Sequence, residues 1–126
     1  MTIDQLGKEG ESKAREILKR QGYIIQSPDW LAFKDNKWIC IEVKKKDRFM
    51  PPPFEGHGLD QRQVWLRTKL LNDTRIPTYL MIFEISTSVV LGAWLHELEA
   101  GRKHITLNNI VIYPFEKFTI LNFDDL

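Results

Sequence analysis

Apolar and polar positions recur along this chain with two different periods, and the changes of period mark its elements. Leu6, Gly10, Ala14, Ile17 and Leu18 return at helical spacing, which predicts an amphipathic helix over residues 3–21, with Thr2 and Gln5 as a capping box and Gly22 as its stop. Residues 23–26 have strand character. Apolar runs at 30–33 and 38–43 flank Lys34-Asp35-Asn36-Lys37, which predicts a β-hairpin. Residues 46–58, with Pro51-Pro52-Pro53 and glycines at 56 and 58, read as a loop. Asp60 is then a natural N-cap for a second helix running to about Asn72, with Leu59, Val64, Leu66, Leu70 and Leu71 as packing positions. Residues 78–85 are a continuous apolar run, as expected of a strand covered on both faces. Residues 89–95 read as its hairpin partner across Ser86-Thr87-Ser88, residues 96–101 as a helical turn, and 105–107, 110–113 and 118–121 as short strands. With the second helix as a crossover, this order predicts an α/β fold: a mixed β-sheet flanked by helices.

Composition narrows the class. The 126 residues suit one domain spanning 1–126, and a hydrophobic fraction of 43% with 11% aromatic supplies a core. A lone cysteine, Cys40, excludes an internal disulfide, and no Cys/His cluster has zinc-ligand spacing. No stretch approaches a membrane span and no leader pattern opens the chain, so the expectation is an intracellular, cytoplasmic protein. The net charge of +1 is unevenly divided, with +4 over residues 1–75 and −3 over residues 76–126. The basic half suits a polyanionic partner, although ordinary surface scatter accounts for an asymmetry of this size too.

The candidate chemistry lies in that basic half. If Asp35 and Asn36 make a two-residue turn, each cross-strand pair of the hairpin sums to 71, and Asp29 falls opposite Glu42. Glu42 and Lys44 share a face because side chains alternate along a strand. One register thus gathers two carboxylates and an ammonium group, and a slip of one residue would scatter them. Such a set can hold a divalent cation against a phosphodiester and position an attacking water. The bland reading makes Glu42 and Lys44 a solvated strand face and Asp29 a turn cap after Pro28. Yet Trp38 and Cys40 on their own face, and Ile39, Ile41 and Val43 on the other, make both sides of the strand look covered, so these charges need partners.

Pro28-Asp29 and Glu42-Val43-Lys44, in this order of elements, resemble the PD-(D/E)XK nuclease superfamily. The chain is similar in particular to its Holliday-junction-resolvase-like branch of small phage and repair endonucleases. Gly7-Lys8-Glu9-Gly10-Glu11, followed by Leu18-Lys19-Arg20-Gln21-Gly22-Tyr23, looks like the first helix of that branch. The likeness runs from Gly7 to about Ile85 and says little about the last third of the chain. It implies a restriction-endonuclease-like fold and a Mg²⁺- or Mn²⁺-dependent deoxyribonuclease. Asp29, Glu42 and Glu11 would be metal ligands together with the Val43 carbonyl, and Lys44 would orient the attacking water or stabilise the transition state. Gln63 would be the helix glutamine beside the site, with Gln61 as the competing assignment. Glu-x-Lys alone recurs by chance; the combination with register, helix glutamate and glutamine is what carries weight.

Around that site Lys45, Lys46, Arg48, His57, Arg62 and Arg67 are the expected DNA contacts, although a lysine run is often plain solvated surface and a loop histidine usually faces water. DNA, as junction or branched substrate in repair or recombination, is the expected partner, and a homodimer suits junction cleavage because a small subunit holds one active site. The alternative is a non-catalytic nucleic-acid-binding domain on the same fold; a third reading is an interaction protein with an incidental motif. Metal binding separates these classes.

Overall fold

In the computed structural model, which describes residues 16, 18–20, 22, 24–26 and 31–121, the hairpin forms around the expected turn. Asp35 and Asn36 both take left-handed backbone, with φ 53° and 62°, the conformation that a two-residue type I′ turn requires. They join strand β2 (Leu31–Lys34) to β3 (Lys37–Lys45) with Lys34 opposite Lys37 and Leu31 opposite Cys40, the register that sums to 71. Strand β1 (Ile24–Gln26) pairs antiparallel with β2 on its outer edge. Residues 16 and 18–20 are helical, and the Gly22 N–H reaches the Lys19 carbonyl at 3.0 Å where they end.

After β3 the chain departs from the expected loop. Phe49 and Gly56 exchange backbone hydrogen bonds, and β4 (Gly56–Asp60) is a strand. A Cβ on Gly56 or Gly58 would stand 2.0 or 2.1 Å from the Tyr113 or Val111 carbonyl oxygen, so here the glycines permit a close backbone approach rather than mark a turn. Helix α1 (Gln61–Thr74) starts at the expected cap, with the Arg62 N–H donating to Asp60 Oδ1 at 2.8 Å. It packs through Val64, while Trp65 and Leu66 are 62% and 45% exposed, so Leu66 is not the packing position its spacing suggested. Leu70 and Leu71 are half-buried.

The crossover then delivers β5 (Thr78–Phe83) parallel to β3, with Glu42 beside Leu80 and Lys44 beside Ile82. Strand β6 (Val90–Trp94) pairs antiparallel to β5, followed by helix α2 (Leu95–Ala100), β7 (His104–Ile105), β8 (Ile110–Pro114) and β9 (Thr119–Leu121). Among the described residues these form a six-stranded sheet ordered β1-β2-β3-β5-β6-β9 and a three-stranded sheet ordered β4-β8-β7.

Both faces of the large sheet are covered, as the apolar run of β5 required. One face packs Ile39, Ile41, Met81 and Phe83 with Leu18 of the N-terminal helical segment. The other packs Leu80, Ile82, Leu91 and Ala93 against Leu59, Val64, Val111 and Tyr113. Side chains of laterally paired residues share a face, so Glu42 and Lys44 lie on this second side, beneath α1 and the small sheet. No helix of the described residues is long and apolar enough to cross a membrane.

Candidate catalytic site

Glu42 and Lys44 end the central strand at the carboxyl end of the parallel β3–β5 pair, where ligands gather in open α/β sheets. Glu42 is only 8% exposed. Its carboxylate is met by Arg67 of α1, whose Nε donates to Glu42 Oε1 at 2.7 Å while a second guanidinium nitrogen approaches the same oxygen at 2.5 Å. Gln63 precedes Arg67 by one helical turn and shares its stripe of α1. Gln63 is half-buried, whereas Gln61 is exposed at the helix start with its N–H on the Asn109 carbonyl. The structure thus aligns Gln63, not Gln61, with the Glu42 side of the sheet.

Asp29 and Glu11 lie outside the described residues. The described ladder stops at Leu31–Cys40, two positions short of the expected pair of Asp29 with Glu42. Among the described residues no three His, Cys, Asp or Glu side chains are placed to hold a metal ion, so a metal set there would join Glu42 to residues beyond them. Glu42 itself fits the role by donor type: it is a hard oxygen ligand, nearly buried, that requires a positive partner.

The expected basic rim is corrected in several places. His57 is not in an exposed loop; it lies on β4 with 0% exposure, out of reach of a phosphate backbone. Arg48 is turned inward, with Nε and one terminal nitrogen on the two carboxylate oxygens of Glu84 at 2.8 and 2.6 Å, and the other on Glu55 at 2.6 Å. Its guanidinium also stacks 3.9 Å from the Phe115 ring centroid. Lys46 donates to the Gly58 carbonyl at 2.6 Å and stands over the Phe49 ring. Burial, and then the neighbouring charge of Lys44, lower the Lys46 pKa to about 8. Arg67 is held by Glu42. Lys45 is half-buried and Arg62 exposed.

Glu84 is the residue the sequence reading missed. It ends β5 at 3% exposure and gathers Arg48, Thr87 Oγ1 at 2.7 Å and His57 Nε2 at 2.6 Å. A carboxylate accepts only, so His57 carries its proton on Nε2, and its Nδ1 has no hydrogen-bond partner among the described residues. The available signal was a glutamate inside the run Met81-Ile82-Phe83-Glu84-Ile85, since a charge in a buried strand needs partners. Burial alone would push the Glu84 carboxyl up, but the hydrogen bonds from Arg48, His57 and Thr87 outweigh it and hold the pKa at about 2. For His57, burial outweighs the attraction of Glu84 and lowers its pKa below the ordinary imidazole value.

No protein-family model and no curated protein sequence matches the chain. Among solved structures it is similar to Hjc of Archaeoglobus fulgidus, a Holliday junction resolvase from an archaeal hyperthermophile, with a TM-score of 0.59 over 85% of this chain and 83% of that one. Identity between the two is 14%, so the likeness is one of fold: a mixed multi-stranded sheet flanked by helices.

Proposed function

We propose that this chain is a metal-dependent PD-(D/E)XK nuclease that hydrolyses DNA phosphodiester bonds, with selectivity for junctions or other branched DNA. The observation that carries this reading is a nearly buried carboxylate, Glu42, sharing a strand face with Lys44 in the fold of a Holliday junction resolvase. Glu42 and Asp29, with Glu11 and the Val43 carbonyl, would hold Mg²⁺ or Mn²⁺. A bound cation would lower the pKa of the attacking water and neutralise charge building on the phosphate. Lys44 orients that water or stabilises the charged transition state, and Gln63 positions the water or a neighbouring group. Two subunits would serve a junction, which is cut on two strands, and sedimentation equilibrium tests for that dimer.

A panel of linear, nicked, flapped and four-way DNA with Mg²⁺ tests the proposal. Cleavage should favour branched substrates, stop with a chelator and be abolished by Glu42→Gln. Lys44→Ala should still bind Mn²⁺ while losing about a hundredfold or more in turnover. Glu42→Gln cutting as well as the wild type would refute the site. The Arg67–Glu42 pair favours the alternative of a non-catalytic DNA-binding domain, since a carboxylate neutralised internally needs no metal. DNA binding without cleavage, and no uptake of Mn²⁺, would establish that alternative.

A further inference from the structure

We infer that Arg67 is an exchangeable counter-ion for Glu42, so that a divalent cation loads this site by displacing a guanidinium. The inference rests on the nuclease reading for the identity of the cation, and on the geometry of the pair for the exchange. A carboxylate as buried as Glu42 is costly to leave unneutralised, and Arg67 is the charge that α1 presses against it.

The grip is nevertheless one-sided. Both guanidinium nitrogens converge on Oε1, leaving Oε2 outside the pair, unlike Arg48, which forks across both oxygens of Glu84. A pair that lacks the fork gives up part of the energy and specificity of bidentate binding. The Arg67 side chain is 35% exposed against 11% for Glu42, so the guanidinium has solvent to swing into while the carboxylate stays. A divalent cation on Glu42 and a guanidinium within hydrogen-bond distance of it repel strongly at these separations. Both therefore do not occupy Oε1 together. Once displaced, the guanidinium stands on α1 beside Gln63, placed to take an oxygen of the phosphate being cut. Arg67 thus acts as a positioning residue that keeps Glu42 ordered before loading and joins metal uptake to phosphate binding.

Calorimetric titration of Mn²⁺ into the purified protein tests the exchange. Arg67→Gln should bind Mn²⁺ about tenfold more tightly than the wild type, because the competing charge is gone. Arg67→Lys, which keeps the charge, should stay within about threefold of the wild type. The tightening should vanish in the Glu42→Gln/Arg67→Gln double variant. Should Arg67→Gln fail to fold without metal, circular dichroism with and without Mn²⁺ reads the same competition. Folding on addition of Mn²⁺ supports the exchange, and a chain unfolded in both overturns it. Equal or weaker Mn²⁺ binding by a folded Arg67→Gln also overturns it, while leaving the nuclease reading to the cleavage panel. Tighter binding in Arg67→Gln with no cleavage by the wild type would keep the exchange and reject the nuclease. Absence of Mn²⁺ binding in every form would reject both.

Discussion

Glu84 and His57 show at the scale of single residues how this protein stores charge beside its candidate site. The Glu84 carboxyl titrates at about 2 in the folded chain against an ordinary 4.5, so its contribution to stability is present above pH 4.5 and is lost as pH falls toward 2. His57 is also depressed below its ordinary 6.5, so the unfolded chain takes up that proton first and stability begins to fall below pH 6.5. Arg48, Glu55, Lys46 and Thr87 surround the pair, and Arg48 stays charged throughout. The expected outcome is a melting temperature that declines steadily from pH 6.5 to pH 2. Glu84→Gln should flatten the lower part of that decline and cost about 3 kcal/mol at neutral pH, because Arg48 loses its buried partner. Thermal melts across the pH range read both effects. A Glu84→Gln profile parallel to the wild type would show that the acid sensitivity arises elsewhere.

At the scale of elements, the hairpin sets the placement of Glu42 and Lys44. Asn36 sits at φ 62°, which costs most side chains about 1 kcal/mol and asparagine less. Asn36→Ala should therefore destabilise the fold by about 1 kcal/mol, whereas Asn36→Gly should be neutral or slightly stabilising, as measured by urea denaturation. Equal stability of the alanine and glycine variants would mean that the turn does not enforce the register. Helix α1 matters for a different reason. It buries little of itself beyond Val64, yet its cap at Asp60 and its spacing bring Arg67 to Glu42, with Gln63 on the same stripe.

For the whole molecule, the parallel β3–β5 pairing places the catalytic strand in the sheet interior, and the small sheet and α1 roof its polar face. Much of the basic run that follows β3 is used to hold this roof, through Lys46 on Gly58 and Arg48 on Glu84. The DNA track therefore draws on fewer cations than the run contains, with Arg62 and Lys45 as the groups best placed to supply it. Lys45→Ala with Arg62→Ala should weaken binding of four-way DNA and flatten its salt dependence by about one unit for each lost phosphate contact. Fluorescence anisotropy over a range of salt concentrations measures that slope. An unchanged slope would place the DNA on another surface.

Much of this was legible in the order of residues because it depends on near neighbours. The Asp35-Asn36 turn dictates the hairpin register, Asp60 caps the helix it precedes, and the apolar run before Glu84 becomes an interior strand. The family resemblance likewise rests on Pro28-Asp29 and Glu42-Val43-Lys44, motifs that short-range spacing makes readable. The partners of the charged groups were not readable in this way. Arg67 and Glu42 are 25 residues apart, His57 and Glu84 27, and Arg48 and Glu84 36. Residue type announces that each of these charges needs a partner once buried, but the crossover of the chain chooses which one. The same holds for Gly56 and Gly58, which locally resemble turn residues and become strand only because the β8 backbone passes close against them. Turn chemistry and periodicity are carried by adjacent residues and so belong to the sequence; charge pairing across a buried interface belongs to the tertiary structure, since it depends on which segments the fold brings together.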